Sequence, residues 1–166
     1  VYKFLHYFTF LPLEEIDAVE AADAAAEGRP QAQAVLAREA TKLVHGDEGL
    51  NAALRITEAL FSGDPNALSE QDFQQLRQDG LPSSLLADAD LQDNPLTNLL
   101  TECGMAKAGR EVKDALGRNS VFVNGQPKGI KDNMNSVSIF AAEQALYGRF
   151  FLVRLGKKKY QIFERL

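Results

Sequence analysis

The chain has 166 residues, 45% of them hydrophobic and 25% charged, with a formal net charge of −5. That length allows one domain or two small ones, and that balance describes an ordinary globular chain able to bury a core. No apolar run has the length needed to cross a bilayer, and the N-terminus lacks a signal-peptide layout. A lone Cys103 excludes an internal disulfide and fits a reducing, cytoplasmic setting. With two His and one Cys widely separated, no zinc-site spacing exists and no metal site is predicted.

In chain order, Val1 to Phe10 reads as an aromatic helix carrying Tyr2, Phe4, Leu5, Tyr7, Phe8 and Phe10, either a core helix of the first domain or one with part of its surface turned to an upstream domain. A chain starting inside such a segment suggests a piece of something longer. Pro12 opens a second helix with Glu14 and Glu15 in its first turn, where they complement the macrodipole. It fades into the Ala-rich stretch ending at Gly28. Pro30 opens a third helix, striped by Ala32, Val35, Leu36, Ala40, Leu43 and Val44, and His45-Gly46 marks its stop. Asp47 caps a fourth, whose apolar set Leu50, Ala53, Leu54, Thr57, Leu60 and Phe61 keeps helical spacing. Ser62-Gly63-Asp64-Pro65 breaks it. Ser69 to Asp72 resembles a capping box and starts a helix through Arg77, stopped at Gly80. Residues 1–80 therefore read as an all-helical bundle, and 81–94, where Pro, Ser and Asp cluster, as a linker.

Asn94-Pro95 begins a helix over about 95–103. The stretch from Gly104 to Lys128 then organises the rest. A helical segment bearing Lys107, Arg110, Lys113 and Arg118 switches to the period-two run Ser120-Val121-Phe122-Val123, which ends on Asn124-Gly125. Asn-Gly between β-type residues is a strong hairpin signal, because a type I′ turn needs φ > 0 at both central positions. Residues 132–147 read as a short strand plus a helical turn. Phe150–Leu155 and Tyr160–Leu166 read as arms of a second hairpin with Gly156-Lys157-Lys158-Lys159 at its tip. The fold class is α+β: a helical bundle followed by a small α+β domain over 95–166, two helices packed on β-hairpins.

Charge separates along the chain. Residues 1–90 carry 6 Lys/Arg against 16 Asp/Glu, a balance of −10; residues 91–166 carry 12 against 7, a balance of +5. A cationic helix running into a tight hairpin makes a ledge suited to a polyphosphate backbone. Lys107, Arg110, Lys113 and Arg118 are the first candidates for phosphate contacts, against the alternative of a solvated helix face. Lys128 and Lys131 extend the track. Lys157, Lys158 and Lys159, with Arg154 on the adjoining strand, either grip RNA or deter edge-to-edge sheet pairing. Asn124 serves the turn, and its amide could also touch ribose. Tyr160 and Phe122 are either stacking aromatics or packing residues. His45 at a helix end, His6 on the aromatic helix and the carboxylates at helix starts have structural explanations.

The ending Val121-Phe122-Val123-Asn124-Gly125 resembles the S-four RNA-binding module, two short helices followed by a hairpin. That family usually has a Ser near the start of its second helix and two adjacent basic residues one turn later. Ala108, Lys113 and Asp114 stand there in this chain, with Arg110 as a partial replacement. The string from Arg29 to Gly63 resembles the helical anticodon-binding domain of bacterial tyrosyl-tRNA synthetase. Tyr2 to Phe10 with Glu14-Glu15-Ile16 is similar to the segment after that enzyme's catalytic core, and Gly148-Arg149-Phe150 with Gly156 to Tyr160 to its closing strands. The resemblance covers nearly the whole chain.

It implies tyrosine tRNA as partner, with the helical domain meeting the anticodon side and the S-four module gripping the long variable arm. HIGH and KMSKS-type signatures and any Gly-rich phosphate loop are missing, so no catalytic residue is expected in this polypeptide, and ATP and Mg belong to the full-length enzyme alone. The resemblance also implies a monomeric fragment, with dimerisation through a catalytic core outside this sequence. Two competing readings are an RNA-binding appendage of an RNA-modifying or ribosome-associated protein, and a protein-interaction module in which the charge is incidental.

Overall fold

The computed structural model describes residues 1–62 and 64–166, apart from the side chain of Ser62. It is α+β, with a helical N-terminal part followed by a small sheet domain. By backbone contacts the chain divides into residues 1–55 and 56–166.

The first unit holds α1 (Tyr2–Phe8), α2 (Leu13–Ala25) and most of α3 (Ala32–Ser62). Leu5, Ile16 and Ala32 form its buried core, flanked by Tyr2, Leu11, Val19, Val35 and Leu36. Asp23 ties the three helices together. Its carboxylate accepts from the Gln31 amide at 2.6 Å, the Ala32 amide at 3.0 Å and the Tyr2 hydroxyl at 3.1 Å. These donors, the Gln31 amide first, hold its carboxyl below the ordinary range. The reading of 1–10 as a core helix is corrected: α1 buries only Leu5, while Phe4, Tyr7, Phe8 and Phe10 are exposed. Seven residues make two turns, too few to turn the four aromatic positions of α1 toward one core, and Phe10 lies beyond the helix. The His45-Gly46 stop is found as an interruption within α3, where Gly46 takes φ 71° and ψ −176°, a conformation glycine reaches without a Cβ clash. The expected Ser62-to-Pro65 break falls partly on Gly63, which lies outside the described residues; Asp64 caps a 3₁₀ turn over Pro65–Ala67.

The second unit is built on five strands, β1 (Ser83–Leu86), β2 (Val121–Val123), β3 (Gln126–Lys128), β4 (Phe150–Leu155) and β5 (Lys159–Arg165), in the order β1-β5-β4-β2-β3. β1 pairs parallel to β5, and the other pairs are antiparallel. The described residues of this unit also form the helices α4 (Glu70–Gln78), α5 (Asp88–Leu91), α6 (Leu96–Glu102), α7 (Gly109–Gly117) and a short α8 (Ser136–Ile139).

Alternation along the strands sends two sets of side chains to opposite sides. Val121, Val123, Phe151, Val153, Leu155 and Phe163 pack with Leu99, Leu100, Val112 and Leu116 of α6 and α7. Phe150, Leu152 and Ile162 pack with Phe73 and Leu76 of α4, Leu68, and Ile56 and Ala59 of α3. Both faces are therefore covered, which is why β4 reads as a nearly unbroken apolar run.

Two expectations change here. The segment 81–94, read as a linker, holds β1 and α5. Ser-Ser-Leu-Leu shows no period-two signal, and its strand state comes from a distant partner. The buried Gln161 side chain donates to the Ser84 hydroxyl at 2.8 Å and to the Cys103 carbonyl at 3.1 Å. Likewise α4, read as the end of the bundle, packs on the sheet, and the division by backbone contacts falls at 55/56, where the sequence reading places a boundary near residue 80. With that division residues 56–166 carry 13 Lys/Arg and 14 Asp/Glu, a net charge of −1. The positive charge is thus a local feature of one part of this unit. Residues 132–147 hold α8, a 3₁₀ turn at Ala142–Gln144 and an isolated bridge from Leu146 to Phe150.

Candidate nucleic-acid interface

α7 is amphipathic at helical spacing: Val112, Ala115 and Leu116 are buried, and Arg110 and Lys113 stand on its exposed side. Its N-cap, Ala108, has no side chain to offer the helix amides. Glu111 occupies the first turn, accepting the Lys107 amide at 3.1 Å and pairing with the Lys159 ammonium of β5. The Lys159 hydrogen bond, then the Lys107 amide, hold the Glu111 carboxyl below its ordinary range. The pair is therefore intact at and above the usual carboxylate range and is lost as pH falls through that lowered value. Glu111 was not singled out from the sequence; the only signal was its placement four residues after Lys107 in a helix start.

The helix ends on Arg118, and Asn119 with φ 51° turns the chain into β2. The Ser120 amide donates back to Ala115 at 2.8 Å, and the Ser120 carbonyl accepts from the Gly156 amide at 2.8 Å. That last bond seats the β4–β5 turn beside the end of α7. One cleft is consequently lined by Arg118, Lys157, Lys158 and Lys159 together with Glu111 and Ser120. A neighbouring one is lined by Lys107, Lys158, Lys159 and Tyr160. A third takes in Arg154, Lys157, Lys158 and Tyr160. Among the described residues, no ion pair engages Lys107, Arg110, Lys113, Arg118, Lys157 or Lys158.

The remaining candidates are placed differently. Asn124 takes φ 48° and Gly125 φ 78°, the type I′ geometry expected of Asn-Gly. Its side-chain amide donates to the Gln144 carbonyl at 2.8 Å and accepts from the Leu152 amide at 2.9 Å, so both ends serve the fold. Lys128 is half-buried on β3, opposite Val121, and Lys131 is exposed in a 3₁₀ turn at Ile130–Asp132. Arg154 lies on the α4 side of the sheet, away from α7, with its guanidinium 4.0 Å over the Phe122 ring. That contact occupies Phe122, and the Tyr160 hydroxyl donates to the Leu60 carbonyl at 2.6 Å. Both aromatics therefore have packing roles.

The Cys103 thiol is half-buried, and burial pushes its pKa up, as for an inert thiol. Among the described residues no group of His, Cys, Asp and Glu is arranged to hold a metal ion, and no helix is long and apolar enough to cross a membrane.

The family model of the tyrosine–tRNA ligase SYY-like C-terminal domain matches residues 72–163. The chain is 42% identical over 163 residues to a tyrosine–tRNA ligase of Aliivibrio fischeri, covering 98% of this chain and 36% of that relative. It is 45% identical over 163 residues to one from Laribacter hongkongensis, again 98% of this chain and 36% of the relative. A Neisseria meningitidis tyrosine–tRNA ligase is 38% identical over 168 residues, 98% of this chain and 38% of the relative. The chain thus spans little more than a third of the length of these relatives. A shared match over the sheet unit, extended by these alignments across both units, places the chain in the tyrosine–tRNA ligase SYY-like C-terminal domain family.

Proposed function

We propose that this chain is the tRNA-binding portion of a tyrosine–tRNA ligase. In this reading the helical N-terminal part meets the anticodon side, the cationic part of the sheet domain grips the long variable arm, and a catalytic region outside the sequence joins tyrosine to the tRNA using ATP and Mg. The polypeptide by itself is monomeric and without catalysis, and the full-length enzyme is a cytoplasmic homodimer. The observation that carries the reading is the gathering of Lys107, Arg118, Lys157 and Lys158 around one hairpin tip, in a chain of this family. Their separation in sequence, from 107 to 158, makes a merely solvated helix face a poor account of them. Arg110 and Lys113 extend the surface along α7, and Lys128 and Lys131 along β3 and the turn after it. Variable-arm recognition is expected to rest on shape and phosphates, because an A-form helix hides most base edges.

The test is binding of the chain to bacterial tyrosine tRNA, with its variable arm intact or shortened, across a salt series. Shortening the arm weakens binding and flattens the slope of log affinity against log salt. Each lost phosphate contact changes that slope by roughly 0.7 to 0.9, so Arg110→Ala with Lys113→Ala lowers it by about 1.5 while Glu48→Ala leaves it alone. An unchanged slope in the double variant removes α7 from the interface. Equal binding of both tRNAs favours the RNA-modifying or ribosome-associated alternative.

Glu111 supplies a variant of opposite sign. In Glu111→Gln the carboxylate no longer holds Lys159, so affinity for the same tRNA rises and the salt slope steepens by about 0.7 to 0.9. Fluorescence anisotropy at several salt concentrations reads both quantities.

A further inference from the structure

Phe61, in the last turn of α3, is an aromatic ring left 86% exposed. Its neighbourhood is unusual for an exposed apolar side chain. With Thr57 and Leu60 it forms one wall of a cleft whose other wall is Arg154, Lys157, Lys158 and Tyr160 of the β4–β5 hairpin. The Tyr160 hydroxyl holds the Leu60 carbonyl at 2.6 Å, which fixes this turn of α3 against the hairpin. Arg154 is held over Phe122 at 4.0 Å and keeps its charge at the cleft. The walls therefore offer a flat π-surface on one side and three cations on the other.

We propose that this cleft takes an unpaired nucleotide of the bound RNA, its base stacked on Phe61 and its phosphates facing Lys157, Lys158 and Arg154. An aromatic platform beside a cationic track is the arrangement that binds single-stranded nucleic acid, since every base has a π-face and every linkage a charge. A peptide or a second copy of the chain would meet the same apolar ring, but the three cations favour an anionic occupant of repeating charge. The inference rests on the RNA-binding reading above and adds to it a base-contacting residue and a preference for unpaired RNA.

The experiment compares the 166-residue chain with Phe61→Ala and Phe61→Trp on a single-stranded RNA containing 2-aminopurine, on a blunt RNA duplex, and on tyrosine tRNA. Phe61 is so exposed that neither substitution disturbs the core. Wild type quenches 2-aminopurine on binding. Phe61→Ala abolishes the quenching and weakens single-strand affinity by about 5- to 150-fold. It leaves the salt slope unchanged because no charge is removed, and leaves duplex affinity unchanged because paired bases are not available to the ring. Phe61→Trp restores affinity and quenching. Unaltered quenching and affinity in Phe61→Ala overturn the inference while the tRNA-binding reading stands, and so does an equal loss on single strand and duplex. Failure of the wild type to bind any of the three RNAs overturns both. Self-association that disappears in Phe61→Ala, with RNA affinity unchanged, assigns the cleft to a second copy and likewise overturns the inference.

Discussion

Phe73→Ala lowers the stability of the 56–166 unit by about 3–5 kcal/mol, the range for truncating a large aromatic in a closed core. Phe73 is fully buried, stacked on Phe150 with ring centroids 5.2 Å apart and planes 6° apart, and meets the Tyr147 ring edge-on at 6.3 Å. The deletion leaves a void between α4 and the sheet that neither neighbour can close. Tyr147 is held by its hydroxyl, which donates to the Leu68 carbonyl at 2.6 Å, and Phe150 is fixed by the β4–β5 ladder. Urea denaturation followed by hydrogen exchange checks it. The amides of β4 and β5 should lose protection together with those of α4, because the helix and the sheet share one core. Loss confined to α4, with β4 and β5 still protected, would mean that α4 belongs energetically to the helical bundle.

The second large effect concerns binding. Replacing Lys107, Arg118, Lys157 and Lys158 together by Ala flattens the salt slope for tyrosine tRNA by about 2.8 to 3.6, and weakens binding at 0.1 M salt on the order of 10³-fold. Each of the four cations accounts for one phosphate contact. The four are exposed, and none is engaged by an ion pair among the described residues, so the variant keeps its fold. Circular dichroism and urea melting confirm that. An unchanged slope would show the hairpin tip to be a solvated surface whose lysines deter sheet pairing. Lys159 is left out of the set because its ammonium is engaged by Glu111, and Asn124 because its amide is used within the fold.

The Asn124-Gly125 turn was legible because its constraint is local: two adjacent residues with positive φ, and chemistry that tolerates it. The capping box at Ser69 and Asp72 was legible for the same reason. Ser69 accepts from the Asp72 amide at 3.2 Å and Asp72 accepts from the Ser69 amide at 2.7 Å, within four residues of chain. The cations of α7 and of the hairpin tip could be named from sequence as well. The placing of Arg154 on the α4 face of the sheet, away from α7, could not, because strand parity decides which face of a sheet a side chain takes, and that parity matters only once both faces are assigned.

By itself the sequence determined the α+β class, the helices of the first part, both hairpins with their turns, and the residue types able to meet phosphate, since each depends on spacing over a few residues. The resemblance to tyrosyl-tRNA synthetases was also legible, and the family match agrees with it. Tertiary structure alone decided that Ser83–Leu86 is a strand, that α4 closes one face of the sheet, and that the tip lysines stand beside Arg118. The reason is common to all three. Each depends on a partner far along the chain: Ile162 to Arg165 for the strand, Phe150 for the helix, and the hydrogen bond from Gly156 to Ser120 for the lysines. Such pairings are selected by the free energy of burying two distant surfaces together, and no short window of sequence contains both of them.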